Sequence, residues 1–224
     1  MDPLIQAALF DLDGVVVFTD RYHYLAWKRL ADEQGWDFNE QVNNDCRGVP
    51  RMASLQVILD HNGVALPDDR KRELAARKNG YYQDLLKSID ESDLYPGAVE
   101  FLHRLRDCEV KLALCSSSKN APTVLDALEL TPLFDTVVTG HDFERPKPDP
   151  QIFTLAAGRL GVPAERCIVF EDAEAGVAAA LAGGMHCVGV GAPDVLPNAP
   201  QTMRDYDEID LDAMIATGRI RRAE

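Results

Sequence analysis

The protein has 224 residues, of which 46% are hydrophobic and 27% are charged, and its formal net charge at pH 7 is −14. This composition is typical of a soluble globular protein and excludes a disordered chain, and the length suits one domain or a core domain with a smaller insertion. The negative charge argues against nucleic acid and anionic membrane surfaces as partners, since both attract basic patches.

Five apolar runs predict buried strands, and helical patterns separate most of them. Strands that alternate with helices are typical of a mostly parallel sheet with helices on both faces, so we predict an α/β fold with a Rossmann-like core. Such a sheet has its binding crevice at the carboxyl ends of its strands. The predicted strands are Ile5–Phe10, Lys111–Cys115, Thr136–Val138, Cys167–Phe170 and Cys187–Val190, and the predicted core helices are Ala98–Arg106, Ala121–Leu128, Gln151–Leu160 and Ala173–Ala182.

The stretch between the first strand and about residue 92 has a different pattern. It contains no convincing strand, and its apolar residues recur at helical spacing. We therefore predict a small all-helical cap domain, residues 17–92, inserted into a catalytic core formed by residues 1–16 and 93–224. The predicted cap helices are Tyr22–Gln34, Ala53–Asn62 and Asp69–Ser88.

The sequence also predicts a cytoplasmic location. No run approaches the roughly 18 apolar residues that a membrane-spanning helix needs. The first residues reach the first strand at once, without the basic and apolar regions of a signal peptide. The five cysteines are scattered without metal-binding spacing, which favours a reducing compartment.

Two carboxylates close the first predicted strand, in the sequence Asp11-Leu12-Asp13-Gly14. Residues two apart on a strand point the same way, so Asp11 and Asp13 are predicted to face the crevice together. Clustered carboxylates repel each other unless a cation neutralises them, and Mg²⁺ is a hard cation that binds one or two carboxylates together with phosphate oxygens. The alternative is a turn in which the aspartates cap a helix.

The next three predicted strands also end in polar residues. Ser116-Ser117-Ser118-Lys119-Asn120 follows the second strand, Lys147 lies between two prolines after the third, and Glu171-Asp172 ends the fourth. Serine hydroxyls and backbone N–H groups at a helix start can bind an anion, a constrained lysine can hold a phosphoryl group, and a second acidic pair can complete a metal site. Taken singly, these motifs are equally compatible with helix caps and a rigid turn.

The order of the four motifs resembles the pattern of the haloacid dehalogenase superfamily. Its members have Asp-x-Asp-Gly, Ser, Lys-Pro and Glu-Asp at the ends of successive strands. The resemblance implies a magnesium-dependent enzyme in which Asp11 is the nucleophile and Asp13 the general acid and base. The implied phosphoryl ligands are Ser116 and Lys147, and the implied metal ligands are Asp11, the carbonyl of Asp13, Glu171 and Asp172.

The helical insertion resembles the cap of the β-phosphoglucomutase-like family. The resemblance runs nearly from Leu9 to Gly191, and its most specific stretches are Tyr22-His23-Tyr24-Leu25-Ala26-Trp27-Lys28, Arg47-Gly48-Val49-Pro50-Arg51, Ala76-Arg77-Lys78-Asn79 and Ser118-Lys119-Asn120-Ala121-Pro122. It implies that Arg51 binds the non-transferring phosphate, that His23 and Lys78 lie near the sugar and Asp13, and that Thr19 is at the hinge between cap and core. Further substrate contacts implied by it are Gly48, Trp27, Ser117, Ser118, Lys119 and Asn120.

Each cap residue also has a simpler interpretation. His23 fits a structural histidine, Arg51 and Lys78 fit solvated surface charges, and Trp27 fits the core of the cap itself. The cations would, however, overcome the repulsion between an acidic protein and a phosphorylated substrate. The chain departs from the family at Phe18, where an acidic residue is common, at Arg47 and Pro50, where Lys and Ser are usual, and at Ser117, where a small apolar residue is frequent.

The resemblance implies an isomerase that moves a phosphoryl group between C1 and C6 of a β-hexose phosphate, from β-glucose 1-phosphate to glucose 6-phosphate. The reaction would pass through a hexose 1,6-bisphosphate, which also primes it. Arg51, Ser118 and Asn120 favour this function, because a mutase must grip phosphate at both ends of one sugar. The alternatives are a Mg²⁺-dependent phosphatase of small sugar phosphates and an inactive sugar-phosphate sensor, although no core catalytic residue is missing. A monomer is expected.

Overall fold

The computed structural model describes residues 4–46 and 49–220. Its centre is a sheet of six parallel strands in the order β3-β2-β1-β4-β5-β6. This order reverses direction next to β1, so the crevice of such a sheet lies where β1 and β4 end side by side. The strands are β1 Ala7–Phe10, β2 Lys111–Cys115, β3 Thr136–Val138, β4 Cys167–Glu171, β5 His186–Val190 and β6 Thr202–Met203.

Alternating side chains of the strands form two hydrophobic clusters, one on each face of the sheet. In β1, Ala8 and Phe10 belong to one cluster, and Ala7 and Leu9 belong to the other. All four are buried because helices cover both faces, which explains why this strand is an uninterrupted apolar run. The core helices are α5 Ala98–Asp107, α6 Ala121–Ala127, α7 Gln151–Leu160, α8 Glu174–Ala182 and α9 Leu211–Thr217.

Four helices lie between β1 and α5 and carry a hydrophobic cluster of their own. Trp27, Leu30, Phe38, Leu55 and Leu74 are among its buried members. The cluster forms mainly because α1 and α4 pack along each other and α3 packs on α4. These cap helices are α1 Asp20–Gln34, α2 Glu40–Asn44, α3 Arg51–His61 and α4 Asp68–Leu86.

Two chain segments cross where the cap helices meet the sheet. Val17 and Leu94 form an antiparallel bridge, Phe18 N donates to Asp93 O at 2.7 Å, and Tyr95 N donates to Val16 O at 2.8 Å. The domain boundaries at residues 16/17 and 92/93 stay a prediction, and these crossing segments are where we place them.

The α/β architecture with helices on both faces and the inserted helices is confirmed. In the described part of the chain, two α-helices and one strand were not predicted: α2, α9 and β6. Strand β6 has only two residues, too few to show a period, and α2 has one buried residue, Val42. No helix in the described ranges combines the length and the hydropathy that crossing a bilayer requires.

Candidate active site

The loop that follows β1 holds Asp11 in a fixed, buried position. Asp11 N donates to Phe170 O of β4 at 3.0 Å, and Asp11 Oδ2 accepts the backbone N–H of Asp13 at 3.0 Å. Gly14 has φ +78°, and a Cβ added there would lie 2.2 Å from Asp172 Oδ2. A glycine is therefore required, because it lets the Asp172 carboxylate approach the loop that carries both aspartates.

Lys147 reaches the same place from the loop between β3 and α7. Its Nζ lies 2.6 Å from Asp11 Oδ1 and also forms an ion pair with Glu171 Oε1. Burial alone would lower the pKa of Lys147, but the carboxylates of Asp11 and Glu171 raise it above its ordinary value. Lys147 is therefore a permanent positive charge beside Asp11, suited to neutralising a phosphoryl group there.

The carboxyl group of Asp13 lies in an environment that disfavours its charged form. Burial, and then the negative charge of Asp11, raise the pKa of Asp13 to about 7, although the hydrogen bond from Thr19 Oγ1 opposes the rise. A carboxyl group with such a pKa can both give and take a proton near neutrality, which is what a general acid and base must do. Thr19, predicted at the hinge, is the residue before α1, so its hydrogen bond joins the start of the cap to Asp13.

The oxygen atoms around Asp11 suit Mg²⁺ in type. Among the described residues, no three Asp, Glu, His or Cys side chains form a ready-made metal cluster. Mg²⁺ does not need one, since it binds through one or two carboxylates and keeps waters and phosphate oxygens as its other ligands. The close approach of Asp172 to the Gly14 loop supplies a second carboxylate near Asp11. Glu171 instead contacts Lys147 and accepts Ala173 N at 3.0 Å, so its direct partners are protein groups.

The segment after β2 forms a tight polar turn before α6. Ser116 is buried, and its Oγ accepts Ser118 N at 3.1 Å, while Ser118 Oγ accepts Asn120 N at 3.1 Å. These hydroxyls hold the turn, as the capping interpretation expects. The Oγ atom of Ser117 is buried and has no hydrogen-bond partner in the described part of the chain. Lys119 is exposed and lines the cavity together with Ser117 and Ser118.

On the cap side, a buried ammonium group faces the same cavity. The Nζ atom of Lys78 lies 2.8 Å from His23 Nδ1 and close to the rings of Trp27 and Tyr82, at 4.9 and 4.8 Å. No salt bridge joins Lys78 to a carboxylate within the described ranges. Burial, and then the positive charge of Arg51, lower the pKa of Lys78 to about 7.

His23 is held neutral beside Lys78. Burial, followed by the charges of Lys78 and Arg51, lowers the pKa of His23 well below its usual range. A neutral imidazole can accept the hydrogen bond from the Lys78 ammonium. His23 therefore acts as a fixed partner for Lys78 and carries no charge of its own at neutral pH.

Arg51 is the first residue of α3 and lines the cavity. It is half-buried, burial lowers its pKa, and no carboxylate in the described ranges lies within salt-bridge distance of it. A partly desolvated guanidinium without a counter-ion favours an incoming anion. Gly48 and the neighbouring Arg47 lie outside the described residues.

One cavity of about 610 Å³ connects these groups. Such a volume suits a small ligand with two charged ends. Trp27 both packs in the cap cluster and lines the cavity, so the two interpretations of this residue are compatible. The predicted residues that line the cavity are Asp11, Asp13, His23, Trp27, Arg51, Lys78, Ser117, Ser118, Lys119, Asn120, Lys147, Glu171 and Asp172; the buried Ser116 and Thr19 support it from behind.

Several cavity residues were not singled out from the sequence. Asn43, Cys46, Asn79 and Phe143 line it as well. Asn79 had a usable signal, because it follows Lys78 on a predicted helix and belongs to one of the stretches that resemble the family. Phe143 has no such signal, since its loop conformation decides whether it faces the cavity.

Known proteins resemble this chain over most of its length. The model of the haloacid dehalogenase-like hydrolases matches residues 5–184. The sequence is 37% identical over 212 residues to the β-phosphoglucomutase of Bacillus subtilis (strain 168), an alignment that covers 94% of each chain. It is 32% identical over 185 residues to a phosphorylated carbohydrates phosphatase of Thermotoga maritima, covering 81% of this chain and 82% of that one.

The fold resembles a solved structure equally well. The crystal structure of a β-phosphoglucomutase from Clostridium difficile matches with a TM-score of 0.88 and 34% sequence identity. The match covers 94% of this chain and 95% of that chain. Relatives with mutase names and relatives with phosphatase names are thus both similar in sequence to most of this chain.

Proposed function

Since this chain belongs to the haloacid dehalogenase-like hydrolase family, we propose that it is a magnesium-dependent β-phosphoglucomutase. The reaction would interconvert β-glucose 1-phosphate and glucose 6-phosphate through an aspartyl-phosphate and the 1,6-bisphosphate.

The presence of cations on two opposite walls of one cavity supports this proposal most. Lys147 lies beside Asp11 on the core wall, whereas Arg51 and Lys78 lie on the cap wall without carboxylate partners in the described ranges. A phosphatase of a monophosphate needs one anion site, whereas a mutase must bind a bisphosphate at both ends. Arg51 and Lys78 have the charge and location that the second phosphate requires.

In the first half-reaction, a carboxylate oxygen of Asp11 attacks the phosphorus of the bisphosphate. An acyl-phosphate bond forms on Asp11, the bond between phosphorus and the sugar oxygen breaks, and Asp13 gives its proton to that oxygen. Lys147 and the turn at Ser116 hold the phosphoryl oxygens, because phosphoryl transfer depends chiefly on positioning and charge neutralisation.

Glucose 6-phosphate then leaves, and β-glucose 1-phosphate binds with its free 6-hydroxyl facing the phosphorylated Asp11. That hydroxyl attacks the phosphoryl group, Asp13 takes the hydroxyl proton, and the carboxylate of Asp11 is regenerated. The bisphosphate formed in this way turns around, so that its other phosphate faces Asp11 for the next transfer. Arg51, Lys78 and the groups around Asn120 hold whichever phosphate is not being transferred. Because either of the two phosphates of the sugar can face Asp11, the cap wall would need ligands for the other phosphate.

The Mg²⁺ would be held by Asp11, Asp172 and the carbonyl of Asp13. Glu171 would contact the ion through a water molecule. When bound, the ion neutralises charge on the transferring phosphoryl group and aligns it with Asp11. The Glu171 carboxylate has a second task in the proposal, which is to orient the Lys147 ammonium.

A phosphatase of small sugar phosphates is the second candidate. It is favoured by the phosphatase relatives, including the phosphorylated carbohydrates phosphatase described above and a fructose-1-phosphate phosphatase of Escherichia coli at 32% identity. Such an enzyme would share the core residues and transfer the phosphoryl group to water instead of to a sugar hydroxyl.

A substrate comparison on the unmodified protein tests the proposal. The protein would be incubated with Mg²⁺, a trace of hexose bisphosphate and either β- or α-glucose 1-phosphate, while glucose 6-phosphate is followed. We expect glucose 6-phosphate from the β anomer and little from the α anomer. Release of free phosphate from both anomers, without glucose 6-phosphate, would establish the phosphatase instead.

A further inference from the structure

Three side-chain amides form a hydrogen-bonded chain between cap and core. Asn79 and Gln83 are four residues apart on α4 and therefore share one face of the helix. Gln83 Nε2 donates to Asn120 Oδ1 at 3.2 Å, and Asn120 Nδ2 donates to Asn79 Oδ1 at 2.9 Å. Asn120 precedes α6 of the core, so this amide chain links the two sides of the cavity directly.

The amide chain fixes the orientation of the Asn120 side chain. A carboxamide has one acceptor oxygen and two donor N–H groups. In Asn120 the oxygen accepts from Gln83 and one N–H donates to Asn79, so the second N–H remains for another acceptor. Asn120 is only 6% exposed, and both Asn120 and Asn79 line the cavity, whereas Gln83 is exposed and does not line it.

We propose that Gln83 is a positioning residue that couples cap closure to phosphate binding through Asn120. The inference rests on the proposed function, in which the region of Asn120 holds the non-transferring phosphate. Gln83 can reach Asn120 only when α4 lies against the core, as it does in this structure. With the cap closed, Gln83 donates a hydrogen bond to the carboxamide oxygen of Asn120. The second N–H of Asn120 then points toward a phosphate oxygen and donates to it.

The two amide hydrogen bonds also affect how well water is kept away from Asp11. Because amide groups are uncharged, these bonds hold the cap closed and leave the charged side chains of the cavity available to bind phosphate. A longer time in the closed state protects the acyl-phosphate on Asp11 from hydrolysis, because closure excludes water. Gln83 would therefore favour transfer to sugar over transfer to water.

Gln83→Leu tests the proposal, and Asp84→Leu is its matched control. Leucine keeps the helix and removes the amide, and Asp84 is an exposed neighbour that pairs with Lys87. We expect Gln83→Leu to raise the KM for β-glucose 1-phosphate about two- to tenfold, the range of one neutral hydrogen bond. The free phosphate released per glucose 6-phosphate should rise, whereas phosphorylation of Asp11 by acetyl phosphate should keep its wild-type rate.

Hydrogen exchange on the ligand-free protein provides a readout that does not depend on catalysis. Backbone amides of residues 116–121 and of α4 should exchange faster in Gln83→Leu than in wild type and Asp84→Leu. Unchanged exchange together with an unchanged KM would overturn the proposal, as would a fall in acetyl phosphate reactivity. If the wild type only hydrolyses sugar phosphates, the proposed mutase function fails, while the exchange comparison still decides the role of Gln83.

Discussion

Arg51 and Lys78 are two cations that the fold partly or fully removes from water without giving either a carboxylate in the described ranges. Burial lowers the pKa of both side chains, which shows that the protein environment disfavours their charged forms. A phosphate anion would reverse this effect by pairing with them. In the proposed function, these two residues would allow a protein with a net charge of −14 to bind a doubly phosphorylated sugar.

Arg51→Ala should strongly reduce mutase activity and spare phosphorylation of Asp11. The variant loses a charged grip on the distal phosphate, so kcat/KM for β-glucose 1-phosphate should fall about 10- to 100-fold, the range of one charged hydrogen bond. Reaction of Asp11 with acetyl phosphate should be unchanged, because that donor has no second phosphate. Steady-state kinetics and acid-quench labelling measure the two rates.

Arg70→Ala is the control for this change. Arg70 is also a cap arginine, but it pairs with Glu73 at 2.6 Å and does not line the cavity. It should therefore behave as wild type in both assays. An equal loss in both variants, or an Arg51→Ala variant with full mutase activity, would contradict the assignment of Arg51 to the distal phosphate.

Lys78→Met should stabilise the protein in a pH-dependent way. The folded pKa of about 7 lies below the ordinary value of 10.5, so the unfolded chain binds a proton that the folded protein does not hold between these pH values. Lys78 therefore costs stability near pH 7, and this cost disappears as the pH rises toward 10. Urea denaturation should show Lys78→Met to be more stable than wild type by about 1–4 kcal/mol at pH 7, with a smaller difference at pH 10.

The exposed Lys87 supplies a comparison for this measurement. Lys87→Met removes an ammonium that is 77% exposed, so its effect on the free energy of unfolding should be small and flat with pH. A destabilised Lys78→Met variant at pH 7, or a stability difference that does not change with pH, would show that Lys78 is not a desolvated ammonium in the folded protein.

At the scale of elements, the contacts around the predicted hinge hold the cap helices in their orientation. The buried carboxylate of Asp93 accepts Tyr22 OH at 2.6 Å and pairs with Arg21 at 2.7 Å, both from the start of α1. The ring of Phe18 lies 4.8 Å from that of Tyr95, on the other crossing segment. Phe18, which departs from the family pattern, therefore packs in the hinge.

The second departure also has a local structural role. Pro50 is the residue before α3, and its carbonyl accepts Ser54 N at 3.0 Å, so the helix starts normally at Arg51. Proline suits this place because the N–H groups at a helix start have no partner within the helix. With proline at position 50, Arg51 therefore still begins α3 and lines the cavity, although no side chain caps the start of the helix.

The sequence was sufficient for five of the six strands, because those five are apolar runs whose carboxyl ends meet at one edge of the sheet. Asp11, Lys147 and Glu171 could be grouped for that reason, and the structure brings them into contact. The contacts between cap and core could not be predicted in the same way. They depend on how the crossing segments orient α4, and no local pattern shows that Gln83 meets Asn120.

At the scale of the whole molecule, two outcomes are open to the proposed phosphoenzyme: transfer of its phosphoryl group to a sugar or to water. The core residues prepare Asp11 for phosphoryl transfer in either a mutase or a phosphatase. In the proposed function, the cap would decide the acceptor, because its cations would bind the second phosphate and its closure would exclude water. The identity of the acceptor would then be a property of the closed cavity and not of the Asp11 site alone.

The partition of the phosphoenzyme measures this property most directly. Protein labelled on Asp11 with radioactive acetyl phosphate would be mixed rapidly with β-glucose 1-phosphate and Mg²⁺, quenched, and separated into labelled products. We predict that most of the label passes to the hexose bisphosphate and to glucose 6-phosphate. Label appearing chiefly as inorganic phosphate, at a rate that β-glucose 1-phosphate does not change, would contradict the mutase.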